Sequence, residues 1–316
     1  MRALVTGGAG FIGSNLVDLL MDEGHDVAVL DDLSSGYPQN LRPDVEFFEC
    51  DVSDPHGVRG AAAECDVIFH LAASVGNTRS IEHARRDSEV NVLGTLAVLE
   101  AARSAGIGRV VLSSSAGIFG ELKTLPIDEG HPQDPDSPYG VSKLAAEKMC
   151  LVYNRLYGMK NVCLRYFNVY GRRQRYDAYG NVIPIFAERI LRDRPIVVFG
   201  DGGQTRDFVN VKDVARANYL AGIATDASGA FNLGSGTRVT INELARMMSE
   251  AAGRSVEVVH SEPRPGDVRD SLATIGAAER AFGFEPSVGL DEGLKEYLDW
   301  LRDDVVTLER WSHDNE

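Results

Sequence analysis

A glycine-rich segment over residues 6–13 constrains the fold more than any other feature of the chain. It reads Thr-Gly-Gly-Ala-Gly-Phe-Ile-Gly, follows a predicted strand over residues 2–5 and precedes a predicted helix over residues 14–23. Glycines in such a loop let the backbone turn sharply, approach a pyrophosphate and pack the helix on the strand. The N-terminus of the helix adds partial positive charge. The segment therefore predicts the first strand, loop and helix of a dinucleotide-binding sheet.

A carboxylate at the tip of the next strand strengthens this interpretation. That strand is predicted over residues 27–30 and ends at Asp31, which lies 18 residues after Gly13. A carboxylate at this position of a dinucleotide-binding unit accepts hydrogen bonds from the adenosine ribose. The loop alone is weak evidence, whereas the loop, its flanking elements and Asp31 together are specific. Because Asp31 and Asp32 would repel a 2′-phosphate, the predicted cofactor is NAD rather than NADP.

The alternation of strands and helices continues along the first half of the chain. Further strands are predicted over residues 45–50, 67–70 and 110–113, with a helix over about residues 88–105 before the last of them. This order predicts an α/β fold with a parallel, doubly wound (Rossmann) sheet, whose strand ends line a ligand crevice along one edge. We expect the residues at those strand ends to line the cofactor path, namely Asp51, Ala72, Ala73 and Ser115.

A candidate set of acid/base residues follows the last of these strands. A run of three serines ends at Ser115, and Tyr139 and Lys143 stand four residues apart. Ser137 is a good N-cap and Pro138 a good first helical residue, so the Tyr and Lys side chains should share one face of a helix's opening turns. A phenol titrates near pH ~10, and a nearby ammonium favours the phenolate, which can accept a proton. The alternative is a surface tyrosine and lysine on an amphipathic helix.

The composition excludes several classes of partner. The chain has 316 residues, of which 44% are hydrophobic, with a net charge of −15 and a pI near 4.9. Nucleic acids and anionic membranes are bound by clustered lysine and arginine, so neither is an expected partner. The four cysteines form no Cys-x-x-Cys pair, which favours reduced thiols in a cytoplasmic protein and predicts no metal site. No targeting or membrane segment is expected, because no apolar run approaches the ~18 residues of a spanning helix.

With these motifs in place, the chain resembles the extended short-chain dehydrogenase/reductases, and specifically their nucleotide-sugar epimerase branch. The resemblance covers nearly the whole chain. It rests on the glycine loop, Asp31, Asn91 in Asn-Val-Leu-Gly-Thr, Ser115, Tyr139 with Lys143, and Arg-Tyr-Phe-Asn at 165–168. It implies tightly bound NAD and Tyr139 as the catalytic base. It further implies that Lys143 bridges the nicotinamide ribose and lowers the pKa of the tyrosine, while Ser115 orients the sugar hydroxyl.

Taken together, the motifs and the resemblance predict two sets of binding residues. The expected NAD contacts are Gly7, Gly10, Phe11, Ile12, Gly13, Asp31, Asp32, Asp51, Val52, Leu71, Ala72, Ala73, Asn91, Ser113, Tyr139, Lys143 and Tyr166. The contacts that the resemblance implies for the UDP-sugar are Ser115, Asn168, Asn181, Val182, Arg206, Arg264, Asp267 and Ser271. Guanidinium groups suit a pyrophosphate because they donate two hydrogen bonds in a plane.

The residues after Ser115 help to choose among the reactions that the resembling family catalyses. Dehydratases of this family carry Asp-Glu directly after the catalytic hydroxyl, and UDP-glucuronate decarboxylases usually carry a glutamate two residues after it. This chain has Ala116 and Gly117 there, which favours epimerisation, a reaction that needs no further acid. The prediction is a UDP-sugar 4-epimerase, with UDP-N-acetylglucosamine/UDP-N-acetylgalactosamine slightly ahead of UDP-glucose/UDP-galactose. The alternatives are a UDP-glucuronate 4-epimerase or decarboxylase, and a non-catalytic NAD-binding sensor of the same fold.

Three further expectations concern the domains, the oligomeric state and the size of the sugar. Residues 1–170, completed by 208–234, should form the NAD-binding domain, while residues 171–207 and 235–316 should form a smaller α/β lobe for the UDP-sugar. A homodimer is expected because two helices are apolar on more than one face, through Leu96, Val98, Leu99, Leu144, Met149, Leu151 and Val152. In related epimerases the position of Ser271 lies beside the sugar's 2-substituent, where a small residue leaves room for an N-acetyl group.

Overall fold

The computed structural model describes residues 1–176, 181–263 and 268–304. Its strands are β1 (Arg2–Thr6), β2 (Asp26–Asp31), β3 (Glu46–Glu49), β4 (Val67–His70), β5 (Val110–Ser115), β6 (Val162–Tyr166), β7 (Asn168–Tyr170), β8 (Ile196–Phe199), β9 (Thr205–Arg206), β10 (Phe208–Asn210), β11 (Gly229–Leu233), β12 (Val239–Thr240) and β13 (Val258–Ser261).

The helices alternate with these strands. They are α1 (Phe11–Asp22), α2 (Pro55–Ala61), α3 (Asn77–Glu82), α4 (Ala84–Ser88), α5 (Gly94–Ala105), α6 (Pro138–Tyr157), α7 (Val182–Leu191), α8 (Val211–Ile223), α9 (Ile241–Ala252), α10 (Gly276–Phe282) and α11 (Leu290–Asp303). A π-helical turn over Glu89–Leu93 joins α4 to α5. None of the helices in the described ranges is both long and apolar enough to cross a membrane.

A parallel sheet of seven strands forms the centre of the molecule, in the order β11, β6, β5, β4, β1, β2, β3. The chain order reverses between β1 and β4, which is where a doubly wound sheet opens a crevice for a ligand. The predicted fold class is confirmed. The last strand to join the sheet, β11, comes from the segment 208–234 and pairs with β6.

Alternate strand residues face opposite sides of the sheet, and each side is covered by its own helices. Val5 and Val29 pack with α1, α8 and α10 on one side, while Leu4 and Leu30 pack with α2, α5 and α6 on the other. Burial on both faces explains why the sequences of β1 and β2 are nearly continuous runs of apolar residues.

A third core lies outside the central sheet. Phe186 and Ile190 of α7, Leu244 and Met248 of α9, and Leu298 of α11 are buried together with the short strand β8. Among the described residues, β8 pairs with β13 and β9 with β12 in two small sheets of their own. This core holds most of the segments expected to form the smaller lobe, and the division into two lobes stays a prediction.

Candidate active site

The glycine-rich loop runs between β1 and α1 and is held against the end of β4. Gly7 has φ +71°, and a side chain there would bring its Cβ to 2.6 Å from the backbone nitrogen of Ala72. A side chain at Gly13 would collide with the Gly7 carbonyl oxygen. Both positions therefore require glycine.

The helix that follows offers an anion-binding terminus. Gly10 is the N-cap of α1, and no side chain among the described residues caps this end. The first amide groups, beginning at Phe11 and Ile12, have no partner within the helix, and they add to its dipole. A pyrophosphate fits such a bare, positively polarised terminus.

Asp31 ends β2 and turns its carboxylate toward the loop. It is 6% exposed, and its oxygens accept hydrogen bonds from the Ala9 amide at 3.0 Å and the Leu33 amide at 2.8 Å. Burial raises the pKa of this carboxyl, against the effect of the two amides, which lower it. Each oxygen has a second lone pair, so the carboxylate can still accept ribose hydroxyls.

The neighbouring carboxylates are bridged by an arginine that the sequence did not single out. Arg86 donates to Asp51 Oδ2 at 2.7 Å and to Asp32 Oδ2 at 3.4 Å. This places Asp32 and Asp51 together at the end of the crevice nearest Asp31. The Val52 side chain is buried in the core against Gly94, so only its backbone remains for a ligand.

The end of β4 lies beside the glycine loop. The Leu71 amide donates to the Thr6 carbonyl at 3.0 Å, and the Ala72 amide to the Thr6 hydroxyl at 3.3 Å. Leu71, Ala72 and Ala73 are partly exposed and follow the strand directly. The ring of the buried His70 is held between the hydroxyl groups of Thr6 and Thr95.

The predicted acid/base residues come together at the end of β5. Ser137 caps α6 by accepting the Gly140 amide at 3.1 Å, with Pro138 as the first helical residue, as predicted. A side chain at Gly140 would lie 2.5 Å from the Gly117 carbonyl oxygen, so the first turn of α6 packs tightly on the turn after Ser115. This close approach brings the Tyr139 ring and the Ser115 hydroxyl to the same turn, since a Cβ at Gly117 would lie 3.6 Å from the ring and 3.3 Å from Ser115 Oγ.

Lys143 lies one helical turn further along α6 and is 3% exposed. Its Nζ donates to Ser113 Oγ at 3.4 Å, which joins it to the strand that carries Ser115. Burial lowers the pKa of Lys143 to about 8, against the negative charge of Asp87, which raises it.

The pKa of Tyr139 differs from the sequence expectation. The phenol was expected to be acidified by the ammonium of Lys143, yet its pKa is raised above the ordinary value. Burial is the main cause, the nearby Ser115 side chain lowers the pKa only in part, and the charge of Asp87 raises it further. A phenol removed from water resists ionisation, so the protein by itself holds Tyr139 in the protonated form.

A polar network lies beneath Lys143. Asn91 is buried, and its amide accepts from the Ser74 backbone N–H at 2.9 Å and donates to the Ser74 carbonyl at 3.0 Å. The Ser142 hydroxyl donates to Asp87 Oδ2 at 2.5 Å and accepts from Asn91 Nδ2 at 3.0 Å. Asn91 therefore connects the segment after β4 to α6. Its side-chain amide is occupied by hydrogen bonds within the protein.

A second network, beneath Ser115, was also missed. Arg165 of β6 forms a buried ion pair with Glu147 of α6 at 2.7 Å, and Ser114 donates to the same carboxylate at 2.8 Å. In the sequence, Arg165 appeared only as part of the Arg-Tyr-Phe-Asn motif. The sequence did contain a sign of this ion pair: Arg165 is a charged residue within an apolar strand, and Glu147 is another on the buried face of a helix.

The residues predicted for the sugar and nicotinamide lie at the same edge. The Tyr166 hydroxyl donates to Asn218 at 2.9 Å within the core, so its ring is held by α8. Asn168 begins β7 and donates to the Asp207 carbonyl at 3.1 Å. Ser271 is buried, and the next carbonyl, of Leu272, accepts from the Ile127 amide at 2.8 Å.

The described residues among the other substrate candidates lie on α7 and β9. Asn181 is exposed at the N-cap of α7, whose first residue is Val182. Arg206 lies in β9, opposite Val239 of β12. Arg264 and Asp267 fall outside the described residues.

Comparison with known proteins agrees with this geometry. Residues 3–234 match the NAD dependent epimerase/dehydratase family. A UDP-glucose 4-epimerase of Mycolicibacterium smegmatis is 40% identical over 310 residues, covering 96% of this chain and 99% of that protein.

Two solved structures are similar throughout. The UDP-glucose 4-epimerase of Thermus thermophilus, in complex with NAD, is 42% identical with a TM-score of 0.88, covering 96% of this chain and 100% of that one. The UDP-N-acetylglucosamine 4-epimerase of Methanobrevibacter ruminantium, in complex with UDP-N-acetylmuramic acid, is 34% identical with a TM-score of 0.93, covering 96% and 99%.

Proposed function

The chain belongs to the NAD dependent epimerase/dehydratase family, and we propose that it inverts carbon 4 of the hexose in a UDP-sugar. It is an isomerase that uses NAD. The observation that carries the proposal is that Tyr139 and Ser115 both lie beside Gly117, with the buried Lys143 one helical turn away. These side chains gather at the carboxyl end of β5, on the edge of the sheet where the glycine loop lies.

The residues present fit NAD. The bare N-terminus of α1 suits the pyrophosphate, and the carboxylate of Asp31 suits the adenosine ribose. Lys143 and Tyr139 lie at the other end of the crevice, where we assign the nicotinamide ribose. When bound, NAD would supply the hydride acceptor and donor that the inversion of carbon 4 needs.

The protein supplies the proton transfers. In its phenolate form, Tyr139 accepts the proton of the 4-hydroxyl, and it returns that proton to the same oxygen after the sugar has turned. Ser115 hydrogen-bonds that oxygen and Tyr139 together. The ammonium of Lys143 stabilises the phenolate that forms when Tyr139 is deprotonated, since burial otherwise opposes that charge.

The turn after Ser115 favours epimerisation over elimination or decarboxylation. A Cβ at Gly117 would lie 3.3 Å from Ser115 Oγ and 3.6 Å from the Tyr139 ring. A carboxylate at this position would stand beside the reacting atoms, as a further acid or base. With glycine at 117, Tyr139 is the side chain that carries the proton. An epimerase needs only one such side chain, because the proton leaves and returns at the same oxygen.

For the sugar, we propose that the site accepts N-acetylhexosamines as well as plain hexoses. Ala273, two residues after Ser271, packs with Ile118 and Phe167, which brings this segment close to the turn after Ser115. A serine at 271 leaves space beside the sugar's 2-substituent. For the nucleotide, we propose Asn181, Val182 and Arg206, together with Arg264 and Asp267.

We further propose a homodimer formed by α5 and α6. Val98 and Leu99, which the sequence analysis included among the surface residues of α5, are instead buried in the chain's own core, so they do not support a partner. The support comes from Leu96, which is 37% exposed, and from Leu156, which is 67% exposed. Val141 and Tyr157 of α6 are also exposed, as is Leu93 at the end of the π-helical turn before α5. An apolar surface shared by two adjacent helices fits the same surface on a second copy.

A panel of UDP-sugars tests the proposed function. The purified protein is incubated, without added cofactor, with UDP-glucose, UDP-N-acetylglucosamine and UDP-glucuronate, and the C4 epimers are resolved by chromatography. We expect UDP-galactose and UDP-N-acetylgalactosamine to form. A product lacking water or carbon dioxide, or turnover of UDP-glucuronate alone, would contradict the proposal.

A further inference from the structure

We propose that Arg165 and Glu147 are positioning residues, whose buried ion pair fixes α6 on β5 so that Tyr139 and Ser115 meet at one turn. The inference rests on the proposed function, because it concerns the placement of the residues that carry the proton. Glu147 is 0% exposed and Arg165 is 3% exposed. Both therefore act through other residues rather than on the substrate itself.

Glu147 continues the row of α6 that carries the proposed catalytic side chains. Tyr139, Lys143 and Glu147 follow one another at intervals of four residues, so they lie on successive turns of a single helix. The Lys143 ammonium donates to Ser113 at 3.4 Å, and the next residue of β5, Ser114, donates to Glu147 at 2.8 Å. Two adjacent residues of the strand are thus bonded to two adjacent turns of the helix.

Arg165 holds the Glu147 carboxylate from the neighbouring strand. It lies in β6, directly opposite Ser114 in the register of the sheet. Its Nη2 donates to Glu147 Oε1 at 2.7 Å, and its Nε donates to Oε2 at 3.0 Å. Two such bonds from one planar guanidinium fix both the distance and the orientation of the carboxylate. Helix α6 can therefore neither slide nor turn on the sheet without breaking them.

The same guanidinium also contacts the segment that follows Ser115. Its central carbon lies 5.3 Å from the centre of the Phe119 ring, a cation–π distance, and its Nη1 donates to the Glu129 carbonyl at 3.0 Å. The Phe119 amide donates to the Ala116 carbonyl at 3.1 Å, which closes the turn after Ser115. Arg165 therefore contacts both sides of the site, the helix with Tyr139 and the turn beside Ser115.

Placement is what this ion pair provides and an apolar contact would not. The cost of removing both charges from water offsets much of their attraction, so apolar residues of similar volume often give equal or greater stability. Apolar contacts, however, tolerate small shifts, whereas a bidentate pair holds one geometry. A displacement of about 1 Å between reacting groups can slow a reaction by about 10²-fold. We therefore expect loss of the whole pair to lower turnover while stability is retained.

The main test removes every charge of the network together. The triple variant Arg165→Met, Glu147→Leu, Ser114→Ala replaces the three bonded polar side chains with apolar ones. Its midpoint of urea unfolding should lie at or above that of wild type, because no unpaired charge stays buried. Its kcat for UDP-glucose should nevertheless be lower by about 10-fold or more. NAD should still be released when the variant is denatured, since the glycine loop is unchanged.

A matched control separates misplacement from general loss of stability. Arg109 is another buried arginine; it precedes β5 and donates to the Ala221 carbonyl at 2.6 Å. It stands six residues before Ser115, or about 20 Å along an extended strand. Arg109→Met and Arg165→Met should both lower the midpoint of urea unfolding, but only Arg165→Met should lower kcat. Equal loss of kcat in the two variants would show that turnover follows stability alone.

A second measurement does not depend on activity. Amide hydrogen exchange, followed by mass spectrometry, reports local opening of the backbone. Peptides from residues 113–119 and 138–147 should exchange faster in the triple variant than in wild type. Peptides from residues 2–6 and 26–31, which lie in β1 and β2, should exchange at the wild-type rate.

The two readouts distinguish this proposal from the proposed function. Faster exchange at 113–119 and 138–147 in a protein that converts no UDP-sugar would support the positioning role while refuting the proposed function. Wild-type exchange and wild-type kcat in a stable triple variant would overturn the positioning role and leave the proposed function standing.

A conservative variant keeps the test decisive should the triple variant fail to fold. Arg165→Lys retains a buried charge opposite Glu147 but cannot form the two parallel bonds. Its kcat should again be lower by about 10-fold or more, with an unfolding midpoint above that of Arg165→Met. Full wild-type kcat in Arg165→Lys would overturn the positioning role.

Discussion

The Nζ atom of Lys143 lies 3.4 Å from Ser113 Oγ, a long hydrogen bond for a side chain that is only 3% exposed. Its pKa is lowered by burial from 10.5 to about 8, so the folded protein holds this proton less tightly than the unfolded chain does. Below pH 8 the lysine is charged in both states, and folding bears the full penalty of burying the ammonium. Above pH 10.5 it is neutral in both, and the penalty is gone.

Lys143→Met should therefore stabilise the protein at neutral pH. A shift of this size corresponds to about 3 kcal/mol in the free energy of unfolding at pH 7. The gain should shrink as the pH rises from about 8 to 10.5, because wild-type stability then increases relative to that of the variant. Urea unfolding across this pH range measures it. Lys295→Met, at an exposed position on α11, should change stability by less than about 0.5 kcal/mol. A variant that is less stable than wild type at pH 7 would refute the argument.

Tyr139→Phe should remove the proton acceptor without disturbing packing, since the ring remains. We expect kcat to fall by about 10²-fold or more. NAD should still be released when the purified variant is denatured, because the glycine loop and Asp31 are unchanged. Nearly normal turnover in the variant would exclude Tyr139 as the base.

Ser271→Tyr should select against substrates with a large 2-substituent. A phenol ring would overlap an N-acetyl group while the sugar turns, and overlap is penalised more strongly than lost contact. Turnover of UDP-N-acetylglucosamine should be abolished and that of UDP-glucose retained. Ser271→Ala, which keeps the space open, should retain both. Equal loss of both activities in Ser271→Tyr would show that size selection lies elsewhere.

A charge on the exposed apolar surface of α5 and α6 should separate the two copies. Leu96→Glu combined with Leu156→Glu should convert a dimer into a monomer at micromolar concentration, as measured by light scattering. Ile223→Glu, a charge on an exposed apolar residue of α8, should leave the dimer intact. Wild-type protein that scatters as a monomer would refute the homodimer itself.

The sequence predicted the parts of this molecule that follow local rules. The glycine loop, the buried strands and the Ser137 cap each depend on a few adjacent residues, and the fold they imply was confirmed. The strand over 67–70 was predicted with its observed bounds, and that over 110–113 only two residues short. Helix α1 begins at Phe11, three residues earlier than predicted, because a bare glycine cap gives little signal in the sequence.

What the sequence missed depends on contacts between distant segments. Val98 and Leu99 look like surface candidates on a helical wheel, yet they are buried because α5 is covered by α2 and α6. The raised pKa of Tyr139 reflects burial, which motif spacing cannot report. Asp87 and Asn91 stand four residues apart, a spacing that signals a shared helix face, but Ser142, which contacts both, is more than fifty residues further along the chain.

One isotopic measurement tests the central claim most directly, that carbon 4 loses and regains its own hydride in a closed site. UDP-glucose bearing deuterium at carbon 4 is incubated in ordinary water with the purified protein and no added cofactor, and the products are analysed by NMR. We expect wild type to form UDP-galactose that retains its deuterium at carbon 4, and Tyr139→Phe to form it about 10²-fold or more slowly. Replacement of that deuterium by solvent hydrogen, or no epimer at all, would contradict it.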